Sequence, residues 1–168
     1  RIELYTCIAR FVQAFLIRHA EAVDETLALR DPNRHLTSHG REQARNLGDR
    51  LRWHDCAPTH VWTSPLTRAL QTAELVASGL HCEVLVEIVP DLAPDGSPRE
   101  LVAALRSLGP NAAVMLVGHE PSMSAIGALL ANTTDFESLA KAQAVRIDDD
   151  GVRWRFSWND EAPTITAR

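Results

Sequence analysis

Two kinds of segment follow one another along the chain, and they differ in how apolar and polar positions are arranged. Short segments that are largely apolar are typical of strands, and the sequence has four of them, at residues 11–17, 60–63, 82–89 and 112–117. The segments between them repeat apolar residues every three or four positions, which is typical of helices with one buried face. Strands that alternate with helices predict a mostly parallel sheet covered on both sides. We therefore expect an α/β fold, arranged as a three-layer α/β/α sandwich.

Four helices are predicted, and three of them begin at a proline signal. The first covers residues 38–53. The second covers residues 65–79, with Ser64 as its N-cap and Pro65 at its first helical position. The third begins at Pro98 and the fourth at Pro121. The residues expected to face the sheet are Ala44, Leu47 and Leu51 in the first helix, Leu66, Leu70, Ala73 and Val76 in the second, Leu101, Leu105 and Leu108 in the third, and Met123, Ile126 and Leu130 in the fourth.

The end of the chain predicts a β-hairpin that extends the sheet. Residues 144–147 and 152–158 are strand-like and flank a polar turn. In the second of these strands apolar and polar residues alternate, which is typical of a half-buried antiparallel strand. Residues 20–36 and 90–98 are rich in polar residues and prolines and are predicted to be loops.

Length and charge narrow the picture to a single domain without a polyanionic partner. The 168 residues fit one domain spanning residues 1–168, with residues 1–10 as an N-terminal extension. The net charge of −5 argues against binding to nucleic acid or to a membrane surface, and no apolar run reaches the roughly 20 residues that a membrane span needs. The three Cys residues lack a pairing pattern, and no secretory signal is evident, so we expect reduced thiols in a cytoplasmic protein.

Candidate chemistry lies at the predicted strand ends. Arg18 and His19 follow the first strand, His119 follows the fourth, and Arg68 lies in the first turn of the second helix. Ligands of open α/β sheets bind beyond the carboxyl ends of the strands, so these four residues are expected to meet at one edge. Two guanidinium groups and a helix N-terminus together predict a site for a tetrahedral phosphoryl group.

Two histidines beside a phosphoryl site suggest covalent catalysis. A neutral imidazole nitrogen can attack phosphorus and form a phosphoramidate, which divides one displacement into two easier steps. The second histidine, if protonated, can hold a phosphoryl oxygen, and the arginines neutralise the remaining charge. Positive charge is thereby supplied without a metal ion. The seven His residues contain no His-Glu-x-x-His pattern and the Cys residues are not paired, so neither a metal site nor a cofactor is expected.

Four motifs resemble those of one enzyme family, the histidine phosphatase (phosphoglycerate-mutase-like) superfamily. They are Phe15-Leu16-Ile17-Arg18-His19, Leu36-Thr37-x-x-Gly40-x-x-Gln43-Ala44, Thr63-Ser64-Pro65-Leu66-x-Arg68-Ala69-x-Gln71-Thr72-Ala73 and Val117-Gly118-His119-Glu120-Pro121. Each motif alone is a weak signal, but their order and spacing fit the family over roughly residues 11–131. The short chain and the Pro90-Asp91-Leu92-x-Pro94 loop resemble the SixA-type phosphohistidine phosphatases in particular.

The resemblance implies a function and a role for each central residue. It makes His19 the phosphorylated nucleophile, and it makes Arg18, Arg68 and His119 the groups that bind the phosphoryl group. It implies a metal-independent phosphatase that acts on phosphohistidine of a protein, such as a phosphotransfer domain or carrier. Two alternatives stay open: the same chemistry on a small phosphorylated metabolite, and a catalytically weak phosphoryl-binding module.

The sequence departs from the family pattern next to the nucleophile, and it leaves the proton donor open. Ala20 replaces the usual Gly, which would strain the backbone if that position required a positive φ. The resemblance implies a general acid in the loop after the third strand, where Asp91 and Asp95 are the acidic candidates, and Glu21 is another carboxylate near His19. Arg34 precedes the second motif, and a substrate contact and a solvated side chain are equally consistent with that place.

Overall fold

A computed structural model describes residues 12–149 and 151–166, so the predicted extension at residues 1–10 lies outside the described part. Its centre is a seven-stranded sheet in the order β3-β2-β4-β1-β5-β6-β7. The strands are β1 Gln13–Arg18, β2 His60–Thr63, β3 Val86–Ile88, β4 Ala113–Gly118, β5 Gln143–Asp148, β6 Gly151–Ser157 and β7 Thr164–Ile165. The first four are parallel to one another. Beyond β1 the pairing is antiparallel, between β1 and β5, between β5 and β6, and between β6 and β7. The predicted α/β fold with a mostly parallel core and a C-terminal hairpin is confirmed.

Helices cover both faces of the sheet. They are α1 Ser38–Leu51, α2 Thr67–Gly79, α3 Pro98–Ser107 and α4 Ser122–Ala131, and short 3₁₀ turns lie at Asp31–Asn33 and Pro90–Leu92. Successive side chains of a strand point to opposite faces. In β1, Phe15 and Ile17 therefore pack with α1 and α2, whereas Ala14 and Leu16 pack with α3 and α4. Both clusters are fully buried at their centres, which gives the predicted three layers.

Most of the predicted inward faces are confirmed, and the face of α2 is not. Ala73 and Val76 are buried as expected, but Leu66 and Leu70 are only partly buried, and Ala69 and Thr72 take the inward positions. The helix begins at Thr67, two residues after the predicted first helical residue Pro65, and Leu66 is extended and serves as the N-cap without a side-chain hydrogen bond.

Two strand predictions also need correction. The third strand covers only Val86–Ile88 rather than residues 82–89, since it is an edge strand that pairs with β2 alone. A short edge strand limits unwanted pairing with other chains. The two-residue β7 was not predicted, because Thr164 and Ile165 are exposed and show no buried period. None of the helices in the described ranges is long and apolar enough to cross a membrane.

The sheet brings three strand ends into register. Arg18 of β1 lies opposite Gly118 of β4, and the next backbone N–H, that of His19, donates to the Gly118 carbonyl at 3.0 Å. On the other side of β4, the N–H of Ser64 donates to the carbonyl of Val117 at 3.0 Å. The residues that follow β1, β2 and β4 are therefore neighbours at one edge of the molecule.

Candidate active site

The four predicted site residues converge at this edge. The imidazole rings of His19 and His119 lie with their centroids 5.0 Å apart, and Arg68 donates from Nε to Nε2 of His19 at 3.3 Å. His19, His119 and Arg68 are each less than a tenth exposed. Arg18 lies beside them, half-buried at the end of β1, and its charge lowers the pKa of both histidines. The structure thus brings together two imidazoles and two guanidiniums that the sequence places up to a hundred residues apart.

The orientation of His19 is fixed through its Nδ1 atom. Nδ1 lies 2.7 Å from the carbonyl oxygen of Ala20. A carbonyl only accepts, so Nδ1 carries the proton and Nε2 carries the lone pair. Desolvation by burial, together with the charges of Arg68 and Arg18, lowers the pKa of His19 to about 4 despite the opposing effect of the Ala20 carbonyl. The ring is therefore neutral near pH 7, and Nε2 is available as a nucleophile.

His119 is held by a hydroxyl group from the end of the neighbouring strand. Its Nε2 lies 2.8 Å from Oγ of Ser64, and its Nδ1 is buried without a hydrogen-bond partner. Desolvation and the nearby His19 and Arg68 lower the pKa of His119 to about 3. Both imidazoles are consequently neutral in the site as it stands. An incoming phosphoryl dianion would favour protonation of this ring, because an opposite charge nearby stabilises the imidazolium.

Ser64 therefore has a role that differs from the predicted one. It was expected to cap α2, but it lies three residues before the helix and its buried hydroxyl pairs with His119. The hydroxyl also accepts a 3.3 Å hydrogen bond from the N–H of Leu66. Ser64 thus connects β2, the entry to α2 and the second histidine.

Arg68 is held by an acidic side chain that sequence reasoning missed. Nη1 of Arg68 donates to the backbone carbonyl of Asp31 at 2.9 Å, and Nη2 donates to its carboxylate at 3.3 Å. The other carboxylate oxygen accepts from Nη1 of Arg34 at 3.0 Å. Desolvation opposes ionisation of Asp31, but the hydrogen bond from Arg34 and the charge of Arg68 outweigh it and lower the pKa.

Residues of the second and third motifs hold the loop that carries His19. The Thr72 hydroxyl accepts from the N–H of Ala20 at 3.1 Å and donates to the carbonyl of Arg68 at 2.7 Å. Gln43 accepts from the N–H of Glu21 at 3.0 Å. A Cβ on Gly40 would lie 1.9 Å from the Glu21 carbonyl oxygen, so only glycine permits this close approach. These contacts hold the backbone that directly follows His19.

Comparisons with known proteins agree with this arrangement. The family model described as histidine phosphatase superfamily (branch 1) matches residues 14–93. The phosphohistidine phosphatase SixA of Escherichia coli K12 is 28% identical over 151 residues, which cover 88% of this chain and 92% of the relative. The chain belongs to the histidine phosphatase superfamily.

Solved structures of the superfamily share the fold of this member. A structure of the protein histidine phosphatase SixA complexed with tungstate superposes with a TM-score of 0.80 at 25% identity, covering 88% of this chain and 97% of that one. A mycobacterial glucosyl-3-phosphoglycerate phosphatase superposes with a TM-score of 0.65 at 19% identity, covering 91% of this chain and 100% of that one. The second likeness shows the fold alone.

The other four residues that the sequence suggested for the site have separate environments. Arg34 contacts Asp31 and also donates from Nε to the Val23 carbonyl at 2.7 Å. The Glu21 carboxylate accepts from the Thr37 hydroxyl at 2.7 Å, which ties it to the start of α1. Asp91 accepts from the N–H of Ser97 at 3.3 Å within its own loop, and Asp95 is exposed.

Ala20 does not have the positive φ that would strain its backbone. The described non-glycine residues with positive φ are Asp55, His81, Asn132 and Ala142, so Ala20 has an ordinary backbone conformation. Its methyl group is fully buried in the core beside α1 and α2. Alanine is therefore compatible with the conformation of this site.

Arg18 is anchored by backbone groups far away in sequence. Its Nη1 donates to the Leu139 carbonyl at 3.0 Å, and the N–H of Leu139 donates to the Glu120 carboxylate at 2.8 Å. Glu120 directly follows His119, so this chain of contacts joins the first and last motifs. Within residues 12–149 and 151–166, no group of three His, Cys, Asp or Glu side chains is placed to hold a metal ion. The expectation of a site without a metal or cofactor stays a prediction.

Proposed function

We propose that this protein is a phosphatase that transfers a phosphoryl group to Nε2 of His19 and then to water, with phosphohistidine on a protein as its substrate. The observation that carries the proposal is the state of His19. Nδ1–H is committed to the Ala20 carbonyl, so a neutral ring presents its lone pair at Nε2 beside Arg68 and His119. A nitrogen lone pair beside the positive charges of Arg18 and Arg68 is suited to nucleophilic attack on phosphorus.

The first step forms one bond and breaks another. Nε2 of His19 attacks phosphorus, the bond to the leaving nitrogen or oxygen breaks, and the leaving atom keeps the electron pair and takes up a proton. The phosphorylated ring is positively charged at its nitrogens, and the Ala20 carbonyl on Nδ1–H stabilises that charge. The second step reverses the pattern: water attacks phosphorus, the P–Nε2 bond breaks, and inorganic phosphate leaves.

The other three residues stabilise the transferred group. Its equatorial oxygens carry negative charge in the transition state, and catalysis of phosphoryl transfer consists largely of positioning and charge stabilisation. Arg68 and Arg18 supply fixed positive charge, and His119 gains a proton more readily once the phosphoryl group is bound. Because Arg68 and His119 are buried, their interactions act in a low local dielectric.

The leaving group supports phosphohistidine as the substrate. Asp31 is the carboxylate that contacts Arg68, and its two arginine partners lower its pKa. It is therefore ionised at neutral pH and is not a proton donor. A leaving imidazole needs less protonation than an alkoxide. The likeness to SixA, named a phosphohistidine phosphatase, over 88% of this chain points in the same direction.

The proposal is tested by rapid-quench labelling and a substrate panel. Radiolabelled phosphoprotein should label the protein within one turnover, and His19→Asn should abolish the label while His54→Asn, a change to a residue remote from the site, should leave it intact. Faster turnover of protein phosphohistidine than of small phosphate esters supports the assigned substrate. Preference for an ester would instead favour a metabolite phosphatase, and absence of any label would favour a binding module.

A further inference from the structure

Asp31 occupies a position that the four sequence motifs do not include. It lies in the 3₁₀ turn Asp31–Asn33, in the long loop between β1 and α1. Its backbone carbonyl and its carboxylate both accept hydrogen bonds from Arg68, whose remaining nitrogen, Nε, donates to His19. Every nitrogen of the Arg68 guanidinium is therefore bonded, and two of the three bonds go to this one residue.

Asp31 is itself held by a hydrogen bond from Arg34. Arg34 donates from Nη1 to the free carboxylate oxygen of Asp31 and from Nε to the backbone carbonyl of Val23. Val23 in turn pairs with the backbone of His35, which closes the base of the loop. A continuous series of hydrogen bonds thus runs from the loop backbone through Arg34, Asp31 and Arg68 to the nucleophile.

We propose that Asp31, braced by Arg34, is a positioning residue that sets the orientation of Arg68 toward Nε2 of His19. A guanidinium is a planar fork, so fixing Nη1 and Nη2 also fixes the direction of Nε–H. That direction decides whether Arg68 meets the oxygens of a phosphoryl group bonded to Nε2. The proposal rests on the proposed function and adds a residue that acts through Arg68 rather than on the substrate.

A competing role makes the opposite prediction. If Asp31 merely neutralised Arg68 in the free protein, a phosphoryl group would have to displace it, and removing the carboxylate would strengthen anion binding. The backbone contact from Arg68 to the Asp31 carbonyl argues for positioning, since a carbonyl carries no charge to be displaced. The measured affinity for tungstate separates the two roles.

The main test compares Asp31→Ala with Asp24→Ala, a matched change of an exposed aspartate in the same loop. Loss of a charged hydrogen bond to a partly exposed group should lower kcat about 10-fold with little change in KM, because Arg68 acts mainly on the transition state. Arg34→Lys should lower kcat in the same way, since lysine cannot bridge Val23 and Asp31. Asp24→Ala should behave as wild type, and tungstate should bind more weakly to Asp31→Ala.

A double-mutant cycle tests whether the effect passes through Arg68. In the Arg68→Ala background, Asp31→Ala should cause no further loss of kcat. An additive loss, tighter tungstate binding, or unchanged kcat in Asp31→Ala would overturn the positioning role. Urea unfolding of each variant shows whether a lowered kcat reflects folding alone, which would also overturn it. If Arg68→Ala itself left His19 labelling unchanged, the proposed function would fail, whatever Asp31→Ala showed.

Discussion

Replacing Thr72 with valine tests how the nucleophile loop is held. Thr72 is fully buried, and its hydroxyl joins the N–H of Ala20 to the carbonyl of Arg68. Valine has nearly the same shape, so the substitution removes the hydroxyl without opening a cavity. The N–H of Ala20 is then left buried without its partner, because water cannot reach it.

The expected magnitude follows from that single unpaired group. A buried donor without a partner lowers the free energy of unfolding by about 1–3 kcal/mol. The Arg68 carbonyl adds little to this loss, because it lies in α2 and can still accept a backbone hydrogen bond of the helix. For a domain of this size a loss of about 2 kcal/mol lowers Tm by roughly 4–8 °C. Activity should fall as well, since the Ala20 carbonyl that orients His19 belongs to the same loop.

The assay compares Thr72→Val with Thr72→Ser, which keeps the hydroxyl. Urea unfolding gives the free energy of unfolding, and steady-state kinetics give kcat. We expect the valine variant to lose both stability and kcat, and the serine variant to keep most of its activity. If the valine variant were as stable and active as the serine variant, the hydroxyl would not hold the loop and the reasoning would be refuted.

Three further outcomes are expected. Ser64→Ala should lower kcat about 10-fold, because His119 Nε2 loses its buried partner at 2.8 Å; unchanged kcat would separate Ser64 from catalysis. Gly40→Ala should cost about 1–3 kcal/mol in urea unfolding and reduce activity, because its Cβ would overlap the Glu21 carbonyl, and wild-type behaviour would contradict that geometry. The acid limb of kcat/KM should lie near the lowered pKa of His19, about 4, and a limb near 6.5 would contradict a desolvated ring.

The same histidines link stability to pH. The pKa of His19 is about 4 and that of His119 about 3 in the folded protein, both below the ordinary 6.5. Between pH 6.5 and these lowered values, the unfolded chain therefore binds more protons than the folded protein. Stability from burying the neutral rings is therefore complete above about pH 6.5 and is lost as the pH falls through 4 toward 3. Urea midpoints measured from pH 8 to pH 4 should decline, and His119→Asn should make the decline shallower.

Apolar periodicity predicted the architecture of the sheet because burial leaves a local signature. The apolar run before Arg18 and the one before His119 became the adjacent central strands β1 and β4, and this adjacency brings the two histidines together. The alternation around Trp154 and Phe156 likewise predicted the hairpin, in which both rings are buried. Where burial is one-sided or absent, as at Ile165 in β7, no such signature exists.

The contacts that surround the central residues could not be predicted in this way. Asp31 meets Arg68 across 37 positions, and Arg18 meets a backbone carbonyl, which has no residue-specific signature, across 121 positions. Ser64 has the composition of a helix cap, and only the position of His119 reveals its second role. Sequence patterns located the four residues that converge at the site, whereas the residues that orient them depend on tertiary geometry.

The proposed mechanism requires that Nε2 of His19 carries the phosphorus between the two steps. Nuclear magnetic resonance of the trapped, phosphorylated protein, with labelled imidazole nitrogens, distinguishes phosphorylation at Nε2 from phosphorylation at Nδ1. We expect a single adduct on His19 at Nε2, with Nδ1 protonated and bonded to the Ala20 carbonyl. An adduct at Nδ1, or on His119 instead, would contradict it.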